Sequence, residues 1–419
     1  MIHIKVLAPV LIWLALALMG CAANAAIDSR STQPPAPTPA QSVSNAVLSP
    51  PTPVPIAVVT ATPLSLPQRP VYVIDSNDGE RISRILVIDP DNGRHVSSYS
   101  TRYIPDLAFS PDGQRMYIAD TYWTQVTHGE KREVLSVRDT ISRQLLVDDL
   151  PIPHRALYKV YPPGRPNLFL SDNGRHLFSM RYGNPDPHQS RLAILDADDL
   201  EVLHEGPAPP CGHRIQAQSD QWLCANTIFP SKVPSGQDVR FSISIDMVDP
   251  WTGTKLETLL IVEDLKGGLS GLASTHNGNR LYLVDREAGV TTIDIPNQKV
   301  VEQANLDMPE KPQLIIEAVA TTPDGLRLFL GVATGEARDR ALVNEIWVYD
   351  TETREPLTRM QMRDPVMHFA FSAAGDHLYA VSPVGHSFTI YNADSYQEIA
   401  TFDDLGGSPA RVVVPGAGG

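Results

Sequence analysis

The 419-residue sequence predicts an all-β chain whose main domain is a seven-bladed β-propeller, and three observations predict it. A β-rich run closed by an acidic turn recurs seven times. A second turn, rich in glycine and followed by an alternating strand, recurs five times. The two ends of the repeated region each carry a strand that lacks a partner.

The first repeat reads ILVIDPDNGRHV at Asp89, LSVRDTISRQLL at Asp139, LAILDADDLEVL at Asp196, SIDMVDPWTGTKL at Asp249, VTTIDIPNQKVV at Asp294, IWVYDTETREPL at Asp350 and FTIYNADSYQEI at Asn392. Successive turns lie 42 to 57 residues apart, the spacing of four-stranded propeller blades. The second repeat interleaves with the first as SPDGQRMYIAD from Ser110, SDNGRHLFSM from Ser171, THNGNRLYLVD from Thr275, TPDGLRLFLGV from Thr322 and SAAGDHLYAVS from Ser372. Its glycines supply the positive φ that a tight hairpin turn demands, and the strand that follows places Tyr or Phe on the buried face. PVYVIDS near the start and ARVVVP near the end are strands without their own blade partners. Pairing the two termini closes the ring and removes exposed sheet edges. Residues 70–419 are therefore expected to form one propeller.

Ahead of the propeller, MIHIKVLAPVLIWLALALMGC has a single Lys5 before an apolar run from Val6 to Met19. The run is shorter than the roughly 20 residues of a spanning helix and has the layout of a signal peptide. Leu18-Met19-Gly20-Cys21 resembles the bacterial lipoprotein lipobox, which implies residues 1–21 as a lipoprotein leader, lipidation of Cys21 and an extracytoplasmic protein held on the membrane. Residues 22–69 hold no charge between Arg30 and Arg69 and are rich in Pro, Ser and Thr, a composition that reads as a disordered spacer. The formal net charge of −14 argues against nucleic acid as a partner.

Outside the cytoplasm disulfides form and persist, so Cys211 and Cys224 are expected to pair and close a short loop. A redox-active pair is the alternative, but the spacing is not Cys-x-x-Cys. No zinc-protease, phosphate-loop, dinucleotide or haem motif is present, and the 12 histidines are scattered, so neither catalytic residues nor a metal site is expected. Two polar stretches are candidate interaction loops: YWTQVTHGEKREV from Tyr122, containing Arg132, and PIPHRALYKVYPPGRP from Pro151, containing His154, Arg155, Lys159, Tyr161 and Arg165.

These residues resemble, in order and spacing, the heavy, propeller subunit of the quinone-dependent amine dehydrogenases, the methylamine and aromatic amine dehydrogenase group, with its YVTN-type, quinoprotein amine dehydrogenase-like propeller. Tyr103-Ile104-Pro105 stands ahead of Asp112-Gly113 where that family has an aromatic-x-Pro turn. Gly129-Glu130-Lys131-Arg132 matches a loop leading into a strand, Arg155 and Tyr161-Pro162 match an arginine followed by Tyr-Pro, and Cys211 and Cys224 match a cysteine pair two blades further on. The resemblance returns in YNADSYQEIATFDDLGGSPARVVV. Departures are the lipobox, a cysteine loop slightly shorter than the family's and the composition of the loop before Tyr161.

The resemblance implies a scaffold subunit that binds no cofactor itself. Tryptophan tryptophylquinone would reside in a separate small, cysteine-rich light chain, where a primary amine is oxidised to aldehyde and ammonia. Electrons would pass to a blue copper protein or cytochrome. It also implies Tyr103 as a gate on the substrate channel, where the family usually has Phe. Two other readings remain open: a stand-alone lipid-anchored propeller that binds a protein or glycan, and a lactonase-like propeller enzyme with acidic and His residues converging at the channel.

Overall fold

In the computed structural model the described residues are 69–77, 82–124, 129–153, 166–181, 190–217, 220–230, 240–275, 277–306, 314–334, 343–403, 405 and 407–415. Among them lie 28 strands in seven four-stranded antiparallel sheets. The chain opens with β1 (Val71–Asn77), β2 (Ile82–Asp89) and β3 (Arg94–Thr101), three strands of blade 1. Blade 2 is β4 (Tyr103–Phe109), β5 (Arg115–Trp123), β6 (Lys131–Asp139) and β7 (Leu145–Pro151). Blade 3 is β8 (Leu168–Leu170), β9 (His176–Arg181), β10 (Arg191–Asp196) and β11 (Val202–Pro207). Blade 4 is β12 (His213–Ala217), β13 (Trp222–Ile228), β14 (Arg240–Asp249) and β15 (Thr254–Lys266).

Blade 5 is β16 (Leu269–Ser274), β17 (Arg280–Asp285), β18 (Gly289–Asp294) and β19 (Lys299–Asn305). Blade 6 is β20 (Leu314–Thr321), β21 (Arg327–Thr334), β22 (Val343–Asp350) and β23 (Pro356–Met362). Blade 7 is β24 (His368–Phe371), β25 (His377–Ser382), β26 (Ser387–Asn392) and β27 (Glu398–Phe402). The last strand, β28 (Ser408–Val413), returns to blade 1 and pairs with β1, Val73 opposite Val412, so the expected closure by both termini is what the chain does.

Each sheet buries both faces, one against each neighbouring blade. Because side chains alternate along a strand, β2 sends Ile85 and Val87 toward blade 2 and Leu86 and Ile88 toward blade 7. Middle strands therefore read as continuous apolar runs. Seven hydrophobic clusters fill the seven interfaces in this way. The expected aromatics supply much of that packing: Tyr117, Phe178, Tyr282, Phe329 and Tyr379 are all at most 2 % exposed.

Both repeats are turn chemistry. All five glycine turns join the first and second strands of a blade, with positive φ at Gly113, Gly174, Gly278, Gly325 and Gly375. The leading hydroxyl does two jobs: Ser110 Oγ donates to Asp112 Oδ1 at 2.5 Å and accepts from Arg115 N at 2.9 Å, and Thr322 repeats this with Asp324 and Arg327 N. The acidic turns join the third and fourth strands. Asp139 Oδ1 accepts from Ile141 N at 3.1 Å and Ser142 N at 2.6 Å, and Asp350 does the same for Glu352 N and Thr353 N. These bonds hold both carboxyls below the ordinary aspartate range.

Candidate functional site

The two kinds of short turn project from one mouth of the ring. The strand ends joined by the connections after the second and fourth strand of each blade lie at the other mouth; the stretches 154–165, 182–189, 231–239 and 335–342 fall among these connections in sequence and lie outside the described residues. Loops gathered at one mouth of a propeller are where binding groups concentrate. Cys21, His154, Arg155 and Tyr161 lie outside the described residues too.

Tyr103 begins β4, the innermost strand of blade 2, at the loop-bearing mouth; it is half-buried and pairs with Thr121. Its neighbour Arg102 is pinned: the backbone N donates to Asp120 Oδ2 at 3.0 Å, the guanidinium bonds Asp149, and its Cζ stands 4.4 Å from the centroid of the Tyr122 ring. Arg132 corrects an expectation. It is not in a loop but near the start of β6, exposed and paired with Tyr122, because β5 and β6 continue their ladder out to Trp123 and Lys131. Polar residues suit a strand end whose side chains face solvent, so the local composition conceals the strand.

Cys211 and Cys224 are bonded as expected, with Cα atoms 5.2 Å apart. The bridge ties the entry to β12 onto β13. An unpredicted clamp holds the same place: the Asn226 side chain accepts from Gly212 N at 2.5 Å and donates to Pro210 O at 2.9 Å and Asp246 Oδ2 at 2.8 Å. Burial raises the Asp246 carboxyl, but bonds from Asn226, Thr258 and Ser244, with the Lys255 charge, outweigh it and leave the group below its ordinary range.

The first strand of every blade lines the central channel. Arg411, Asp106, His213, Gly271, Ala318 and His368 occupy equivalent ladder positions on six of these strands, opposite Ile74, Ala119, Ala225, Val284, Gly331 and Val381. Asn167, just ahead of β8, takes the seventh, its carbonyl accepting from Met180 N at 2.7 Å. Asp106 accepts from Leu107 N at 2.8 Å, Asn167 N at 2.5 Å and Leu168 N at 2.9 Å, joining blade 2 to blade 3. Arg411 Nη2 lies 2.7 Å from Asp106 Oδ1 and donates to Leu107 O at 2.7 Å, joining blade 1 to blade 2. His368 follows on blade 7. Burial, aided by the Arg411 charge, pushes its pKa down to about 3, so the imidazole is neutral at neutral pH. Among the described residues no group of three or more His, Cys, Asp or Glu could hold a metal.

Residues 67–189, spanning blade 2 and Tyr103, match the family described as methylamine dehydrogenase heavy chain (MADH). The methylamine dehydrogenase heavy chain of Methylorubrum extorquens is 20 % identical over 366 residues, covering 85 % of this chain and 84 % of that one. The heavy chain of Methylophilus methylotrophus is 22 % identical over 356 residues, covering 82 % and 83 %. The chain is thus similar to methylamine dehydrogenase heavy chains, by the family match over residues 67–189 and at 20–22 % identity along most of its length. Among solved structures, the periplasmic gluconolactonase of Pseudomonas aeruginosa superposes with a TM-score of 0.52 at 16 % identity, covering 83 % of this chain and 99 % of that one. A putative 6-phosphogluconolactonase of Bacteroides uniformis superposes with a TM-score of 0.50 at 14 % identity, covering 83 % and 99 %. At these identities the likeness speaks to the propeller architecture alone. The heavy-chain similarity, in contrast, is one of sequence and covers 81 to 85 % of this chain.

Proposed function

We propose that this chain is the scaffold subunit of an amine dehydrogenase, anchored outside the cytoplasm through Cys21. In this reading a separate light chain holds the tryptophylquinone, oxidises a primary amine to aldehyde and ammonia, and passes electrons to a blue copper protein or cytochrome. The propeller contributes position, not chemistry: it presents the loop-bearing mouth, with Tyr103 at the head of β4, to the partner. The observation that carries the reading is the extent of the heavy-chain similarity, 81 to 85 % of this chain for three curated heavy chains.

The Tyr103 hydroxyl gives the gate a polar handle where the family usually has an apolar ring, and a smaller or more polar amine would suit it. The reading is tested by recovering the tagged chain from its own cells and measuring intact masses of what accompanies it. A small partner whose mass carries the deficit of tryptophan-derived quinone formation supports it. Recovery of the propeller alone, or with an unrelated envelope protein, would leave it a binding module on a lipid tether, the reading favoured by the long Pro-rich stretch before Arg69.

A further inference from the structure

Five places after the leading hydroxyl of each glycine turn stands Arg115, His176, Arg280, Arg327 or His377, the first residue of its blade's second strand. In all five turns its backbone N donates to that hydroxyl. In four of them its side chain crosses to the acidic turn of the next blade. Arg115 Nη1 lies 3.1 Å from Asp198 Oδ1, Arg327 Nη2 2.9 Å from Asp394 Oδ1 and His377 Nε2 3.8 Å from Asp91 Oδ1. The His176 ring meets Trp251 edge-on, 5.4 Å between centroids.

Arg280 departs from this pattern. It is exposed, and its guanidinium makes no hydrogen bond or ion pair among the described residues. Its charge acts only through space on Asp294, its cross-strand partner within blade 5. The tyrosine two residues on departs as well. Tyr117 Oη donates to Ala197 O, in the acidic turn of blade 3, at 2.9 Å. The equivalent Tyr282 donates instead to Gly325 O, in the glycine turn of blade 6, at 3.2 Å, and Thr351 Oγ1 takes the same carbonyl at 2.6 Å.

Between blades 5 and 6 the turn-bearing mouth therefore holds an open cleft of about 440 Å³, within the roughly 300–1,000 Å³ span of small-ligand pockets. Asn277, Asn279 and Arg280 line it from blade 5, and Pro323, Asp324 and Leu326 from blade 6. Leu326 is 57 % exposed, whereas the same position in the other four turns holds Gln114, Arg175, Asn279 or Asp376. An apolar edge thus stands where the other turns are polar. Burial raises the Asp324 carboxyl, but bonds from Thr322 and Leu326 N, with the Arg327 charge, outweigh it and leave the group ionised below its ordinary range. Those bonds fall on Oδ1, and Oδ2 accepts nothing among the described residues. Asn277 Oδ1 is taken by Thr275 Oγ1 and Asn279 N, so its amide N–H groups remain to donate.

The cleft thus offers a guanidinium, a carboxylate oxygen, amide donors and an apolar edge. A guanidinium fork matches a carboxylate, and a carboxylate oxygen accepts from hydroxyls. A phosphate brings more charge than Arg280 offsets beside Asp324. A hydroxylated ring bearing a single carboxylate satisfies every group.

We propose that the cleft between blades 5 and 6 binds a hexuronic acid, with its carboxylate on Arg280, its hydroxyls on Asp324 and a C–H face of its ring on Leu326 and Pro323. The site lies at the mouth opposite Tyr103 and uses this chain alone, so it stands or falls separately from the subunit assignment. Its test is calorimetric titration of the purified full chain at constant ionic strength with sodium galacturonate, galactose and sodium acetate.

The expected result is saturable binding of galacturonate, binding of galactose weaker by at least about tenfold for want of the charge-assisted bonds, and none of acetate. Arg280→Gln should weaken galacturonate by at least about tenfold and leave galactose unchanged. Leu326→Gln, which places there the residue type of Gln114, should weaken both sugars and keeps the test decisive if the Arg280 variant does not fold. Arg175→Gln, at an exposed turn of blade 3, should leave galacturonate binding unchanged. No saturable binding, equal binding of galactose or acetate, or full galacturonate binding by a folded Arg280→Gln or Leu326→Gln would overturn the proposal.

Discussion

Arg411→Ala is the substitution that most directly probes how the ring is closed. The Arg411 and Asp106 side chains are 11 % and 8 % exposed and 2.7 Å apart, and Arg411 lies on β28, the strand by which the C-terminal end completes blade 1. Removing one member of a buried pair costs about 3–5 kcal/mol, because the other charge is left without its partner. Here three backbone N–H groups still bond Asp106, so Arg411→Ala is expected near the lower end, about 3 kcal/mol.

Asp106→Ala removes the pair and also leaves Asn167 N and Leu168 N unbonded, and should cost more, about 4–5 kcal/mol. The double variant should cost less than the sum by roughly 1–3 kcal/mol, the coupling of residues that share one network. Urea unfolding followed by tryptophan fluorescence on the wild type, both single variants and the double variant gives all four free energies. Additivity within about 0.5 kcal/mol, the behaviour of independent sites, would refute the claim that this pair joins blade 1 to blade 2.

Three further outcomes follow from the same geometry. An unfolded histidine titrates near 6.5, whereas His368 in the fold titrates at about 3. Below pH 6.5 the unfolded chain therefore takes up a proton that the folded chain refuses, and stability falls toward pH 3 by up to about 1.4 kcal/mol per pH unit. His368→Gln should flatten the stability profile between about pH 6 and pH 4 by that slope, and an unchanged profile would contradict the assignment. Cys211→Ala with Cys224→Ala should lose about 3 kcal/mol in denaturant unfolding, as expected for a closed loop of this size, with an unchanged far-ultraviolet spectrum because the Asn226 clamp remains. Gly271→Leu should destabilise the interface of blades 5 and 6 by about 1–3 kcal/mol through overpacking against Val319, readable as a lower thermal midpoint.

The blade count and the closure were legible because they depend on local chemistry. Asp139 bonds the N–H groups two and three residues on, and Ser110 bonds within its own turn, so a few consecutive residues carry the whole instruction. The aromatics after each glycine turn follow from strand alternation. The pair that joins blades 1 and 2 was not legible, since 304 residues separate Arg411 from the Leu107 carbonyl it bonds.

The polar neighbours of Arg132 give a loop-like composition, and only the cross-strand partner Tyr122 reveals the strand. Asn226 has no local feature to mark it as the clamp on Pro210 and Gly212.

A propeller that serves as the scaffold of a quinone-bearing amine dehydrogenase, as proposed above, should be recovered together with the quinone. The most direct measurement is the visible spectrum of the complex recovered from its own cells, before and after anaerobic addition of methylamine. The expected result is a visible quinone absorbance that bleaches on addition of the amine and returns on oxidation. A colourless preparation, or an absorbance indifferent to primary amines, would contradict it.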